Sequence, residues 1–136
     1  MTLVDTSAWV EFFRATGTRT HQQVRELIAS GRPLHTTEVV VMEVLAGSRN
    51  ETHATQLRSL LSRCEFIAIQ GLGDYEQAAA IYRRCRRAGE TVRSLTDCLI
   101  ATVAIRSALD VIHADRDFAA IARHTELELF VEPRTS

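Results

Sequence analysis

Lysine is absent from this chain of 136 residues; all 16 basic residues are arginine. That removes P-loop nucleotide chemistry, whose glycine-rich motif ends in a lysine. Arginine suits phosphate by bidentate hydrogen bonding, though a codon bias toward arginine gives the same composition. Cysteine is scarce. Cys64, Cys85 and Cys98 are odd in number, fit no zinc spacing and lie in or beside apolar periodic segments. They read as reduced core residues of an intracellular protein. Long apolar runs are missing too: the longest, near Cys98 to Ile105, is far too short to span a bilayer. Asp5 and Glu11 interrupt the N-terminal apolar stretch, so no signal peptide is read there and the cytoplasm is the expected location. Neither sign of charge dominates. The net charge is −1, so any nucleic-acid contact must come from a local patch.

What is present is enough apolar residue, 46%, for one real core at one domain's length. Met1 to Val4 reads as a strand running into Asp5, and Ser7 to Phe13 as a helix. Helical spacing returns at Val24, Leu27 and Ile28 and stops at Gly31. A short strand is expected around Leu34-His35-Thr36. Residues 38–45, EVVVMEVL, are ambiguous. Three consecutive valines favour a strand, whereas the Thr36-Thr37 start and the Ala46-Gly47 end favour a helix, which is the reading taken. Leu57, Leu60, Leu61 and Cys64 mark another helix, and residues 66–69 a buried strand. Gly71 to Gly73 reads as a loop, with Asp74 and Gln77 as a capping box and Tyr75, Ala78, Ala79 and Tyr82 as an apolar face. A helix opening at Ser94 to Asp97 is apolar all round, hence buried. Residues 111–114 form a strand, Asp115 starts a helix through Ile121, and residues 127–131 close the sheet. Alternating strands and helices make an α/β domain, 1–132, with a mainly parallel central sheet flanked by helices. Residues 133–136 are a frayed tail.

Of six aspartates, four lie where a helix begins or a strand gives way to one: Asp5, Asp97, Asp115 and Asp117. Each is also a good helix cap by itself, and Ser94-x-x-Asp97 completes a capping box. Glu43 is different. It sits inside an apolar run where no cap explains it, and a carboxylate on such a face is costly unless paired or metal-bound. Acids from separate parts of a chain can share a pocket only if something offsets their repulsion. Hard cations with oxygen ligands do this, which points to Mg²⁺ or Mn²⁺ rather than zinc. The matching chemistry is metal-assisted attack of water on a phosphodiester.

Residues 4–9 (VDTSAW), 43–47 (EVLAG), 95–101 (LTDCLIA) and 114–118 (ADRDF) together resemble the PIN domain, and more closely the VapC-type toxins of bacterial toxin–antitoxin pairs. The likeness covers nearly the whole chain, in the family's order. It implies a PIN-like fold and a divalent-metal-dependent endoribonuclease that inhibits translation and growth when free of its antitoxin. Carried over by position, Asp5, Glu43, Asp97 and Asp115 would hold Mg²⁺ or Mn²⁺, with Asp117 as a further ligand or supporting group. Thr6 and Thr96 would steady the acids. The likeness also implies a VapB-type antitoxin, and a homodimer formed through the early helices.

Arg83, Arg84, Arg86, Arg87 and Arg93 face one nearby acid, Glu90, and could track an RNA backbone. A solvated helix end explains them equally well. Trp9, Phe12 and Phe13 read as core or partner-facing, and His113 as a satisfied core histidine. Three rivals remain. A haloacid-dehalogenase-type phosphatase needs a second Asp where Ser7 stands, and a lysine. A receiver-like module needs a lysine and an early acidic pair. A catalytically inactive PIN-like module that binds RNA or a partner is separated only by a nuclease assay.

Overall fold

Thr2-Leu3-Val4 shows no polar alternation, as expected of a strand covered on both faces in a parallel sheet. A computed structural model describes residues 1–132, and all three of these side chains are buried in it. The chain runs β1 (Thr2–Val4), α1 (Thr6–Phe13), α2 (Arg19–Ala29), β2 (Leu34–Thr36), α3 (Glu38–Ala46) and α4 (Glu51–Leu61). It continues through β3 (Glu65–Phe66), α5 (Gly71–Arg87), α6 (Leu95–Arg106), β4 (Asp110–Ile112) and α7 (Arg116–His124). Every strand pairing is parallel, in the order β3-β2-β1-β4. Leu3 lies opposite His35 on one side and Val111 on the other.

One edge of the sheet therefore collects all the carboxyl ends. The strand order reverses at β1, with β2 to one side and β4 to the other. The crevice outside such a switch point is where open α/β sheets receive ligands. α6 leads back into β4, so its first turn sits at that same edge. Residues 97–104 of α6 are buried without a break, as its all-round apolar sequence requires. Residues 38–46 are helical, so packing and the Thr37 start override the valine run. Cys85 and Cys98 are buried and Cys64 half-buried, all as free thiols.

Several expectations are corrected. The strand at residues 66–69 is only β3, two exposed residues at the sheet's rim, with Phe66 55% exposed. It has a neighbouring strand on one side only. Residues 127–131 add a single parallel bridge, Leu129 to Val111, rather than a strand. Gly71 to Gly73 is not a loop but the first turn of α5. Asp74 lies within the helix and accepts from Gln70 N at 2.7 Å. The buried face of α5 is Asp74, Ala78, Ile81 and Cys85, while Tyr75 is 54% exposed. The expected tail at 133–136 lies outside the described residues.

Asp74 explains why that face holds a charge. Arg106 from α6 grips it through Nη2 at 2.8 Å and Nε at 3.2 Å, locking α5 to α6. Burial pushes its pKa up, but the Arg106 and Gln70 hydrogen bonds outweigh this and hold it below the usual carboxylate range. A depressed folded pKa stabilises above the unfolded pKa, and that stability is lost as pH falls through the folded value. Asp74→Ala should therefore cost about 2 kcal/mol at neutral pH, because Arg106 loses its partner. Thermal unfolding should show the gap to wild type shrinking in acid.

Candidate metal centre

Asp5 is the first residue past β1. Its backbone N–H donates to Ile112 O at 3.1 Å, which ties the end of β1 to the end of β4. Its Oδ2 accepts from Ser7 N at 2.9 Å and Ser7 Oγ at 2.5 Å, capping α1. Asp115 caps α7 in the same way, Oδ1 accepting from Asp117 N at 2.9 Å. The caps are real, and the same hydrogen bonds aim the carboxylates.

Asp97 does not cap. The Ser94 hydroxyl accepts from no backbone N–H in the first turn of α6, and pairs instead with Thr96 Oγ1 at 2.6 Å. The expected capping box is therefore not formed, and Asp97 is free to face its neighbours. Carboxylate oxygens of Asp97, Asp115 and Asp117 lie within 4.8 Å of one another. Asp117 is steadied by Arg93 N at 3.0 Å. Asp5 is close enough for its charge to act on Asp97, and Glu43 for its charge to act on Asp5. Glu43 is half-buried on α3 and accepts from Thr6 Oγ1 at 2.9 Å.

Of the five acids expected from the sequence, Asp97, Asp115 and Asp117 cluster, Asp5 acts on Asp97 by its charge, and Glu43 stands beyond Asp5. Thr6 touches Glu43 as expected. Thr96 bonds Ser94, and no hydrogen bond from it to an acid appears among the described residues. The arginines are exposed: Arg84 donates to His124 O at 3.3 Å and Arg86 lies over Tyr82. His113 is half-buried against Phe118, its Nδ1 accepting from Asp115 N. Trp9 is fully buried, so it is core.

Ser7 is the contributor that sequence reasoning missed. Its hydroxyl donates to Asp5 and accepts from Ala114 N at 2.9 Å, clamping the two strand ends across the crevice. Its position two residues after a strand-ending Asp is the signal that could have found it.

The charge state shows how heavily the hollow is loaded. Burial, then the Asp115 hydrogen bond and the charges of Asp5, Asp115 and Asp117, push Asp97 up to about 9. Burial raises Asp5 to about 6, against the lowering effect of Ser7. One oxygen of each, Asp5 Oδ1 and Asp97 Oδ2, is buried with no hydrogen-bond partner. Such orphaned acceptors are costly, and a cation among them would satisfy both. The donor set is oxygen only, which fits a hard divalent cation.

An acidic hollow at the switch point of a small parallel sheet defines a class, and sequence comparison agrees. The PIN-domain family pattern matches residues 2–124, and the chain belongs to that family. It is 44% identical to ribonuclease VapC11 of Mycobacterium tuberculosis over 129 residues, covering 94% of this chain and 96% of the relative. A VapC ribonuclease of Mycobacterium bovis matches to the same degree. The fold is similar to that of VapBC2 from Rickettsia felis, solved bound to a promoter DNA fragment. That likeness has a TM-score of 0.72 at 18% identity and covers 95% of this chain and 96% of that one. VapC20 of M. tuberculosis, a sarcin–ricin loop cleaving toxin, gives 0.71 at 22% identity over 94% and 99%.

A carboxyl whose folded pKa lies above its unfolded value destabilises the fold as pH rises from the unfolded toward the folded value. For Asp97 that window ends near 9. Without metal, Asp97→Asn should raise the unfolding midpoint at mildly alkaline pH and flatten its pH dependence. Adding Mg²⁺ or Mn²⁺ should raise the wild-type midpoint and leave that of the variant nearly unmoved.

Proposed function

We propose that this protein is a divalent-metal-dependent endoribonuclease, the toxin of a VapBC-type pair that inhibits translation and growth when free of its antitoxin. The observation that carries this is the cluster of Asp97, Asp115 and Asp117, with the charge of Asp5 acting on Asp97 and one buried oxygen of each of Asp5 and Asp97 left without a partner. An inactive binding module would have no reason to keep such a loaded hollow. The relatives' own names, VapC ribonucleases, support the RNA substrate.

In this reading Asp5, Asp97 and Asp115 are the main ligands of Mg²⁺ or Mn²⁺, with Asp117 and Glu43 completing the set. A divalent cation held there lowers the pKa of a coordinated water and offsets charge building on the phosphate. The chain's own part is orientation. Ser7 fixes one Asp5 oxygen and leaves the other aimed inward. Thr6 occupies Oε1 of Glu43 and leaves Oε2 for the hollow. No side-chain nucleophile is needed, and cleavage leaves 5′-phosphate and 3′-hydroxyl ends.

The toxin–antitoxin complexes among the similar folds support a VapB-type partner. For a homodimer, the exposed Met42, Leu72, Tyr75 and Leu95 favour α3, α5 and α6 as the contact face over α1, whose Trp9 is buried. No helix among the described residues is long and apolar enough to cross a membrane, which is compatible with work in the cytoplasm.

Sequencing RNA ends after induced expression tests the activity and identifies the target. Wild type should produce discrete new 5′-phosphate ends that Asp5→Ala does not, and equal patterns would end the proposal. Thr6→Val removes only the hydroxyl that orients Glu43. It should fold normally and lose about 10–100-fold in cleavage by purified protein, as supporting groups around metal sites do.

A further inference from the structure

The loop between α5 and α6, residues 88–94, has no helix or strand of its own, yet it is tied to both ends of α7. At the C-terminal end of α7, Glu90 Oε1 accepts from Arg123 Nε at 3.0 Å and from Arg123 Nη2. Its Oε2 accepts from His124 Nε2, which carries the proton because a carboxylate only accepts. Arg84 Nη1 donates to His124 O at 3.3 Å, bringing the end of α5 to the same corner. At the N-terminal end of α7, Arg93 N donates to Asp117 Oδ2 at 3.0 Å. Among the described residues this is the only hydrogen bond to the Asp117 carboxylate. Val92, between the two ties, is buried in the core. Asp117 and Arg123 are about 9 Å apart along α7 at the helical rise.

Asp117 is buried against like charges, Asp97 and Asp115. Repulsion favours swinging it outward, and the Arg93 N–H opposes that. A donor on an irregular loop holds its acceptor only as firmly as the loop itself is held. Val92 anchors that loop by apolar contact, which has no direction. Glu90 adds charge-assisted hydrogen bonds, which do. We propose that Glu90 is a positioning residue for the metal centre: it latches the loop to the far end of α7 and so keeps the Arg93 N–H on Asp117. This role rests on the metal-centre reading. An ordinary exposed ion pair does little. Glu90 differs because both of its oxygens are taken by one helix, the helix that Asp115 caps and whose first turn holds Asp117.

The test pairs two readouts on the full chain: amide hydrogen exchange of Arg93 by NMR, and Mn²⁺ affinity by calorimetry. Glu90→Ala should speed exchange at Arg93 about tenfold while the amides of α7 keep their protection. It should weaken Mn²⁺ binding by about tenfold, the low end of what supporting groups at metal sites cost. Glu90→Gln keeps an acceptor for Arg123 and should return most of both. Arg123→Ala should give much of the Glu90→Ala effect, and the two together should cost little more than either, as expected of one shared contact. Breaking the exposed Arg19–Glu132 pair with Arg19→Ala should change neither readout. Wild-type values in Glu90→Ala overturn the latch, and so does faster Arg93 exchange with unchanged Mn²⁺ affinity. Exchange that speeds throughout α5, α6 and α7 makes Glu90 a general support and overturns it too. Wild type that binds no Mn²⁺ instead overturns the metal-centre reading.

Discussion

Repulsion among carboxylates is the constraint to which this structure answers. Carboxylate oxygens of Asp97, Asp115 and Asp117 lie within 4.8 Å of one another, and burial, then the Asp115 hydrogen bond and the charges of Asp5, Asp115 and Asp117, push Asp97 up to about 9. Water cannot relieve them, because Asp5 and Asp97 are nearly excluded from it. What keeps them together is a scaffold that cannot move apart: parallel strands registered through β1, and α6 buried along residues 97–104. The apolar burial of α6 offsets the cost of the charge at its first turn. A metal ion would turn that cost into affinity, since the acids are already in place when it arrives.

Capping and ligation are usually treated as competing explanations for an Asp at a helix start. Here one arrangement leaves room for both. A cap uses one carboxylate oxygen, accepting from the backbone N–H two residues on. The other oxygen is then held in a fixed direction with no further partner, which is how Asp5 Oδ1 comes to be orphaned. Asp97 reaches the hollow without that help, and Ser94 and Thr96 bond each other instead. Its position is set by α6 as a rigid body. Asp5 and Asp115 are thus aimed locally, whereas Asp97 is placed by tertiary packing.

Much of this was legible in the sequence, for identifiable reasons. An acid directly after an apolar strand has few places to go but the carboxyl edge, so Asp5 and Asp115 were readable from strand–helix alternation. Glu43 was readable because an apolar helix gives it no surface role, although it is half-buried rather than fully enclosed. The all-round apolar α6 announced its own burial. Elements whose state depends on neighbours were not legible. Residues 66–69 are apolar enough to suggest a core strand, yet only Phe66 belongs to one, β3, at the rim with one partner strand. Asp74 looked like a cap because its partner, Arg106, is remote in sequence. Ser7 was not singled out because Ala114, the group that completes its role, is equally remote.

The distribution of arginine follows from the same electrostatics. A site that binds a cation through acids cannot also draw a polyanion by its own field once metal is absent, and only weakly once it is present. Attraction has to be placed beside the acids without neutralising them. A guanidinium inside the hollow would pair with Asp97 or Asp5 and take the place a cation could fill; among the described residues the aspartates of the hollow make no ion pair. Arginines stand on the flanks instead. Arg14 and Arg49 line a groove between α1, α3 and α4 that Glu43 also lines, and Arg93 offers only its backbone N–H to Asp117. Near-neutral net charge is therefore not the absence of an electrostatic design. It is the sum of an acidic centre and a basic margin, kept apart by a few turns of helix.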